Sequence, residues 1–107
     1  MILISKYLVP KGFVGITLYP FIFLKTRELQ YNVVLINHEK IHLKQQLELF
    51  VVFFYLFYGI EWVCKVFKYK NFKQAYYNLS FEREAYLNEK NMNYIENRKR
   101  GAFFKYL

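Results

Sequence analysis

The chain has 107 residues, of which 55% are hydrophobic and 22% aromatic, and its formal net charge is +8. This length suits one domain, and the apolar content excludes an intrinsically disordered chain. The aromatic residues, 12 Phe, 11 Tyr and one Trp, exceed what a small core needs, so some should face a partner, a lipid surface or a substrate groove. The charge would attract polyanions, but no zinc-finger spacing or RNA-binding aromatic motif accompanies it, so specific nucleic-acid binding is not expected.

The N-terminal part of the chain predicts a small β element. Residues 11 to 24 are rich in β-branched and aromatic side chains, and Pro20 interrupts them. This pattern favours two short strands, or one bent edge strand, over a helix. The segment Met1 to Pro10 is too short and too mixed for a secretion signal. We expect the lone Cys64 to be a buried, inert thiol, and together these features predict a cytoplasmic location.

A long helical segment is predicted from Asn32, which is expected to be its N-cap. No Pro or Gly occurs between Asn32 and Tyr58, and apolar residues recur with helical spacing. Gly59 is predicted to break or bend the helix before a further helical piece from Ile60 to Phe67. The uncharged stretch Leu49 to Ile60 would be about 18 Å long as a helix, which is shorter than a bilayer core. A buried core helix is therefore expected, with contact with a membrane surface as the alternative.

The C-terminal third is also predicted to be helical. Asn71 to Tyr77 has the pattern of a short helix, and Ser80 is predicted to cap a final long helix from Phe81 to about Asn97. Gly101 is expected to end that helix, and the apolar tail Ala102 to Leu107 to dock back onto the protein. The buried stripe of the long helix would consist of Phe81, Ala85, Met92 and Ile95. The sequence therefore predicts one α+β, mostly α domain over residues 1–107, with three to four helices.

The chemistry of the chain is predicted to depend on the five residues His38 to His42. The chain has only two histidines, and they stand four positions apart. A helix presents two such side chains on one face, one turn apart, where both can bind one metal ion at about 2 Å. Glu39 is offset by about 100° around the helix, so it can hydrogen-bond a water at the metal without acting as a ligand. This is the His-Glu-x-x-His pattern of zinc proteases.

A catalytic zinc ion needs a third protein ligand and one open position. The chain has no third histidine, and Cys64 lies in an apolar context, so we expect this ligand to be a carboxylate. Glu82 and Glu84 both lie on the predicted final helix and flank its apolar stripe on opposite sides at comparable angles. Helical geometry alone therefore does not choose between them.

The pairing of His38-Glu-x-x-His42 with the segment Phe81-Glu-Arg-Glu-Ala-Tyr86 resembles the gluzincin class of zinc metallopeptidases, over roughly residues 33 to 90. In that class the third ligand is a glutamate on a later helix, often in a Glu-x-x-Ala-Asp pattern. The resemblance implies that Glu82 is the third ligand and that Ala85 is the small residue that packs against the motif helix. It also implies a minimal zincin-like fold.

On this basis the chain is predicted to be a zinc-dependent metallopeptidase that hydrolyses peptide or protein substrates. His38, His42 and Glu82 would bind Zn²⁺, and Glu39 would be the general base for the attacking water. The alternative is a non-enzymatic, membrane-associated binding or structural protein, with or without a structural metal. The apolar segment Leu49 to Cys64 and the four lysines that follow it favour this alternative, with an anionic membrane surface as the partner.

Overall fold

The computed structural model describes residues 1–107 and has a three-stranded sheet at its N-terminus. The strands β1 (Ile2–Ile4), β2 (Gly15–Leu18) and β3 (Phe21–Leu24) lie in the order β1-β3-β2. β3 is antiparallel to β2 and parallel to β1, so β2 forms one edge of the sheet. The prediction of two short strands within residues 11 to 24 is confirmed, and Pro20 lies in the turn between them.

The amino-acid pattern does not predict β1. Its three residues are all apolar and all exposed, so no alternation of polar and apolar positions marks them as a strand. These residues form a strand because they pair with β3. The Ile22 amide donates to the Met1 carbonyl over 2.8 Å, and the Ser5 amide donates to the Leu24 carbonyl over 2.9 Å.

The helix that carries both histidines, α1 (Val33–Glu48), begins where the sequence predicts. The Asn32 side chain accepts a hydrogen bond of 3.1 Å from the Leu35 amide, which confirms Asn32 as the N-cap. A short 3₁₀ helix, Arg27–Tyr31, connects β3 to this cap.

The predicted break at Gly59 is wrong, because the chain turns earlier and Gly59 lies inside the next helix, α2 (Val52–Tyr69). Phe50 and Val51 adopt positive φ angles of 55° and 63°, and the two helices meet at 110°. The Val51 amide donates to the Gln46 carbonyl over 2.7 Å and closes the last turn of α1. Such backbone conformations are uncommon outside glycine, so composition does not reveal this turn.

α2 is not the buried core helix that its composition predicts. Phe54 and Glu61 on its inner face are buried, but Leu56 and Ile60 on the opposite face are exposed, because no other element packs there. Cys64 is exposed as well, so the expectation of a buried thiol is wrong. No single helix is long and apolar enough to cross a membrane, and α1 and α2 reach that length and hydropathy only when taken together as a bent pair.

The short helix predicted before Asn78 is confirmed as α3 (Phe72–Tyr77), and the Asn71 side chain caps it by accepting from the Gln74 amide over 3.0 Å. The long helix predicted to reach Asn97 is wrong. It is divided into α4 (Ser80–Asn88) and a separate short helix, α5 (Tyr94–Asn97).

Asn37 on α1 accounts for the early end of α4. Its side-chain amide donates to the carbonyls of Asn88, Glu89 and Asn91 at 3.3, 2.8 and 3.0 Å. The carbonyl groups at the end of α4 therefore have partners on another helix, and the chain can turn there. The predicted buried stripe is correct for Phe81 and Ala85 and wrong for its C-terminal half, since Met92 is exposed and Ile95 is only half-buried.

The core is largely aromatic and joins α2, α4 and the C-terminal tail. Phe54, Phe81 and Phe103 are buried together, and the ring centroid of Phe81 lies 4.6 Å from each of the other two. Gly101 adopts a φ of 76°, after which Ala102–Tyr106 forms a 3₁₀ helix that places Phe103 in the core. The docking of the tail is confirmed, and so is the α+β, mostly α fold class. Five α-helices replace the expected three to four because the predicted final helix is divided into α4 and α5.

Candidate metal centre

α1 places both histidines and Glu39 in the interior of the protein. His38 and His42 lie one turn apart, their ring centroids are 4.9 Å from each other, and both side chains are buried. Glu39 is buried beside them. The helix is mostly polar along this inner face, since Asn37, Gln45 and Gln46 are also buried and Ile41 is its only buried apolar residue. A buried polar face of this kind requires partners from other elements.

Glu82 on α4 is the carboxylate that reaches both imidazoles. Its Oε1 atom lies 3.2 Å from Nε2 of His42 and 3.6 Å from Nε2 of His38. Donor atoms of these three buried residues all lie within 4.8 Å of one another. Ligands of a tetrahedral metal site are roughly 3.3 Å apart, so the two Glu82 contacts are close to that spacing and the three residues could hold one metal ion.

A hydrogen bond between helices fixes the start of α4, and with it the position of Glu82. The buried Glu61 side chain on α2 accepts from the Ser80 amide over 2.8 Å and from the Ser80 hydroxyl over 2.7 Å. Ser80 is therefore not the N-cap that the sequence predicts, because Leu79 holds that position and the capping acceptor comes from α2. The Glu61 side chain therefore caps the N-terminus of α4 in place of a residue next to it in the chain.

The second ring nitrogen of each histidine is engaged away from Glu82. Nδ1 of His38 lies 3.1 Å from Oε2 of Glu89, and Nδ1 of His42 lies 2.8 Å from Oε1 of Gln45. Because carboxylate and amide oxygens only accept, each Nδ1 atom is the donor in its contact, and it is the Nε2 atom of each ring that faces Glu82. Such outer hydrogen bonds are what orient metal-ligating histidines in proteins.

Gln45 is itself held in one orientation. Its amide nitrogen donates to the Phe81 carbonyl over 3.1 Å and to Oε1 of Glu84 over 2.9 Å, which directs its oxygen to His42. Glu84 has further partners in Tyr94 and Arg98. It therefore faces away from the two imidazoles, and Glu82, not Glu84, lies with them. These contacts decide which of the two carboxylates lies near the histidines, which helical geometry alone does not decide.

The electrostatics of the site favour a charged pair between His42 and Glu82. Burial by itself would lower the pKa of His42, but the adjacent Glu82 carboxylate outweighs burial and raises it to about 9. For Glu82, burial would raise the pKa, but the neighbouring His42 and His38 hold it well below its usual range. In this form the proton on His42 balances the negative charge of Glu82, and a metal cation would take the place of that proton.

Two tyrosines contact the cluster of His38, His42 and Glu82. The Tyr58 hydroxyl donates to Oε2 of Glu82 over 3.2 Å, and the Tyr86 ring lies 4.5 Å from the His38 ring. Burial, together with the Glu82 charge, raises the pKa of Tyr58, and the same two causes raise that of Tyr86 to about 12. Both tyrosines therefore stay protonated at neutral pH and can act as hydrogen-bond donors.

Glu39 lies next to the cluster of His38, His42 and Glu82 without belonging to it. Its Oε2 atom accepts a hydrogen bond of 2.6 Å from the Thr17 hydroxyl on β2. Gly15 on the same strand leaves room above the carboxylate, because a Cβ there would lie 3.7 Å from Oε1 of Glu39 and only 3.1 Å from Leu24. The edge strand therefore both holds Glu39 and keeps its second oxygen accessible.

Two cavities open on either side of Glu39. A larger one of about 660 Å³ reaches His38, and a smaller one of about 330 Å³ reaches His42 and Glu82. Both are lined mainly by apolar and aromatic residues, and the linings share Phe13, Gly15, Glu39 and Tyr76. The site therefore borders two cavities, and all four residues of β2 line the smaller one.

Sequence reasoning missed four residues that contact the predicted site. Gln45 could have been found from its position one turn after His42 on the same helix. Thr17, Tyr58 and Glu89 have no local signal, because only the fold brings their elements to α1. Comparison with protein-family models, with curated proteins and with solved structures finds no match.

Proposed function

We propose that this chain is a zinc-dependent hydrolase of peptide bonds, with His38, His42 and Glu82 as the metal ligands and Glu39 as the general base. The observation that carries the proposal is the ligand triangle, in which one carboxylate oxygen lies 3.2 and 3.6 Å from two buried Nε2 atoms. Buried acid and imidazole groups at this spacing, with both Nδ1 atoms engaged elsewhere, have the arrangement of a metal site.

Two imidazoles and one carboxylate suit zinc among the common metal ions. This donor set is the one used by catalytic zinc sites that keep a position open for water or substrate. When bound there, zinc would supply Lewis-acid polarisation of the scissile carbonyl and a lower pKa for water. Two neutral imidazole ligands disfavour magnesium and calcium, which prefer sites made of oxygen atoms.

Glu39 is the group in position to move protons. Its Oε2 atom accepts from Thr17, and its Oε1 atom lies near Gly15, which lines both cavities together with Glu39. A carboxylate held in this way can take a proton from an attacking water and pass it to the leaving amine. Tyr58 and Tyr86, which stay protonated, are available as donors to the developing oxyanion.

The surroundings of Glu39 suit an extended peptide with apolar side chains. β2 is an edge strand, and an extended chain can add to such an edge through backbone hydrogen bonds. The cavities on either side of Glu39 are lined by aromatic residues such as Phe13 and Tyr76. We therefore propose peptides with apolar or aromatic residues beside the cleaved bond as substrates.

The test has two stages. The purified chain, stripped of metal with a chelator and dialysed against Zn²⁺, should bind one zinc ion per chain by elemental analysis, and His42→Ala should abolish binding. The zinc-loaded chain should then cleave members of a peptide library, whereas Glu39→Gln should retain zinc and lose at least about a hundredfold in turnover.

The outcomes separate the two functions that the sequence suggests. A chain that binds zinc and cleaves no peptide would contradict the proposed hydrolase and favour a binding protein with a structural metal. A chain that binds no divalent cation, or binds it equally well after His42→Ala, would contradict the metal site itself.

A further inference from the structure

The outer face of α2 is an uncharged apolar strip that nothing in the chain covers. It consists of Val52, Phe53, Leu56, Ile60, Val63 and Phe67, and all six are exposed, from 47% for Val63 to 77% for Phe67. Their spacing of three to four residues places them on one side of a helix, opposite the buried Phe54 and Glu61. A strip of this size would be about 25 Å long, and exposed apolar surface of this extent marks an interaction site.

The exposed charges in this part of the chain are all of one sign. Four lysines lie near the C-terminal end of the strip, namely Lys65 before Phe67 and Lys68, Lys70 and Lys73 after it. Glu61 is the only acidic residue between positions 49 and 81, and it is buried, with both carboxylate oxygens accepting from Ser80. The exposed surface of this segment therefore carries positive charge and no compensating acid.

Two depressions on α2 match the two parts of a lipid molecule. A groove lined by Leu56, Gly59, Ile60 and Val63, among others, is almost wholly apolar. At the C-terminal end of α2, a second depression combines Lys70 and Lys73 with Phe67 and Phe72. The first suits acyl chains and the second suits an anionic headgroup.

We propose that the outer face of α2 docks onto an anionic lipid surface, with the helix lying in the plane of the interface and its lysines on the headgroups. Amphipathic helices bind membranes in this way when buried apolar area and electrostatic attraction act together. A second copy of the chain is disfavoured as the occupant, because it would bring two basic segments, each on a chain of net charge +8, against each other.

Flotation with vesicles tests the proposal. The chain should float with vesicles of phosphatidylcholine and phosphatidylglycerol and bind pure phosphatidylcholine vesicles much more weakly. The pair Leu56→Gln and Ile60→Gln should reduce binding by at least about a hundredfold, because two exposed aliphatic side chains are lost from the buried contact. Leu87→Gln is the matched control, since Leu87 is 72% exposed, against 58% for Leu56 and Ile60, but lies on α4, and it should bind like the unchanged chain.

Replacing the lysines should also weaken vesicle binding. Lys68→Gln with Lys70→Gln should weaken binding to the anionic vesicles by about fivefold per lysine, whereas Lys99→Gln with Arg100→Gln, which removes charge outside α2, should have a much smaller effect. Cys64, the only cysteine, is exposed beside the strip, so an environment-sensitive fluorophore on it should shift to the blue with anionic vesicles. This readout leaves the six residues of the strip unchanged and does not depend on whether the glutamine variants fold.

The proposal is overturned if the unchanged chain fails to float with anionic vesicles, or if the outer-face pair floats as well as Leu87→Gln. It is also overturned if the chain is a stable dimer in solution that the outer-face pair dissociates, since a second copy would then cover the strip. Zinc binding is a separate property, and His42→Ala should leave vesicle binding unchanged.

Discussion

The Thr17 hydroxyl on β2 lies 2.6 Å from Oε2 of Glu39 on α1 and 3.1 Å from the carbonyl oxygen of the same residue. This one side chain joins the edge strand to the motif helix at the residue proposed as the general base. Both partners are buried, so the hydrogen bond to the charged carboxylate should be among the stronger ones in the protein.

Thr17→Val should therefore impair catalysis without affecting the metal. Valine has nearly the same shape but cannot donate, so Glu39 loses a hydrogen bond worth about 1.5 kcal/mol or more, and turnover should fall by about tenfold or more. Zinc content should stay at one ion per chain. Thr17→Ser, which keeps the hydroxyl, should retain most of the activity. Equal turnover in the valine and serine variants would show that the hydrogen bond does not position Glu39.

Glu82→Gln and Glu84→Gln should have opposite effects, although the two residues lie two positions apart. Glu82→Gln should lose most zinc binding, because the carboxylate nearest to both Nε2 atoms is replaced by a neutral amide. Glu84→Gln should keep zinc but unfold more easily, since Arg98 loses a buried partner. Elemental analysis and denaturant unfolding of both variants measure the difference. Loss of zinc in Glu84→Gln alone would show that the ligand assignment is wrong.

The metal-free chain should become less stable as the pH rises from about 6.5 to about 9. His42 has a pKa of about 9 in the folded protein against 6.5 ordinarily. A raised pKa means that the folded state holds the proton more tightly, so the pair with Glu82 stabilises the fold fully below about pH 6.5. That contribution, on the order of 3 kcal/mol, is lost as the pH passes about 9.

Denaturant unfolding in the presence of a chelator checks this, with His42→Gln as the control that should show little of the effect. With zinc present, the protein should instead become more stable as the pH rises, because the metal competes with the proton on His42 and binds better at higher pH. A metal-free chain whose unfolding free energy is constant across this range would contradict the charged pair.

Arg98→Met should destabilise the protein strongly. The Arg98 guanidinium contacts Glu84 and makes two hydrogen bonds of 2.9 Å to Glu48, and all three side chains are almost completely buried. Removing the cation leaves two buried carboxylates unpaired, which should cost about 3–5 kcal/mol in the free energy of unfolding. Arg100→Met, at an exposed position, should cost less than about 0.5 kcal/mol. Similar values for the two variants would contradict the structural role of Arg98.

Local features of the sequence predict a good part of the fold. The cap at Asn32 was predicted because an Asn side chain before a helical run commonly accepts from an amide three residues further on. The strands within residues 11 to 24 were predictable from their β-branched and aromatic content. The two breaks were not, because one depends on non-glycine residues with positive φ at Phe50 and Val51, and the other on Asn37, which binds the end of α4 from another helix.

The sequence by itself determined that His38 and His42 share one helical face with Glu39 beside them, because the repeat of an α-helix sets the angle between residues one and four positions apart. Only the tertiary structure decided that Glu82 and not Glu84 joins them, since Arg98, Tyr94 and Gln45 hold Glu84 elsewhere. It also decided that the apolar side of α2 remains exposed. Both outcomes depend on which elements pack together, and that depends on contacts between residues far apart in the chain.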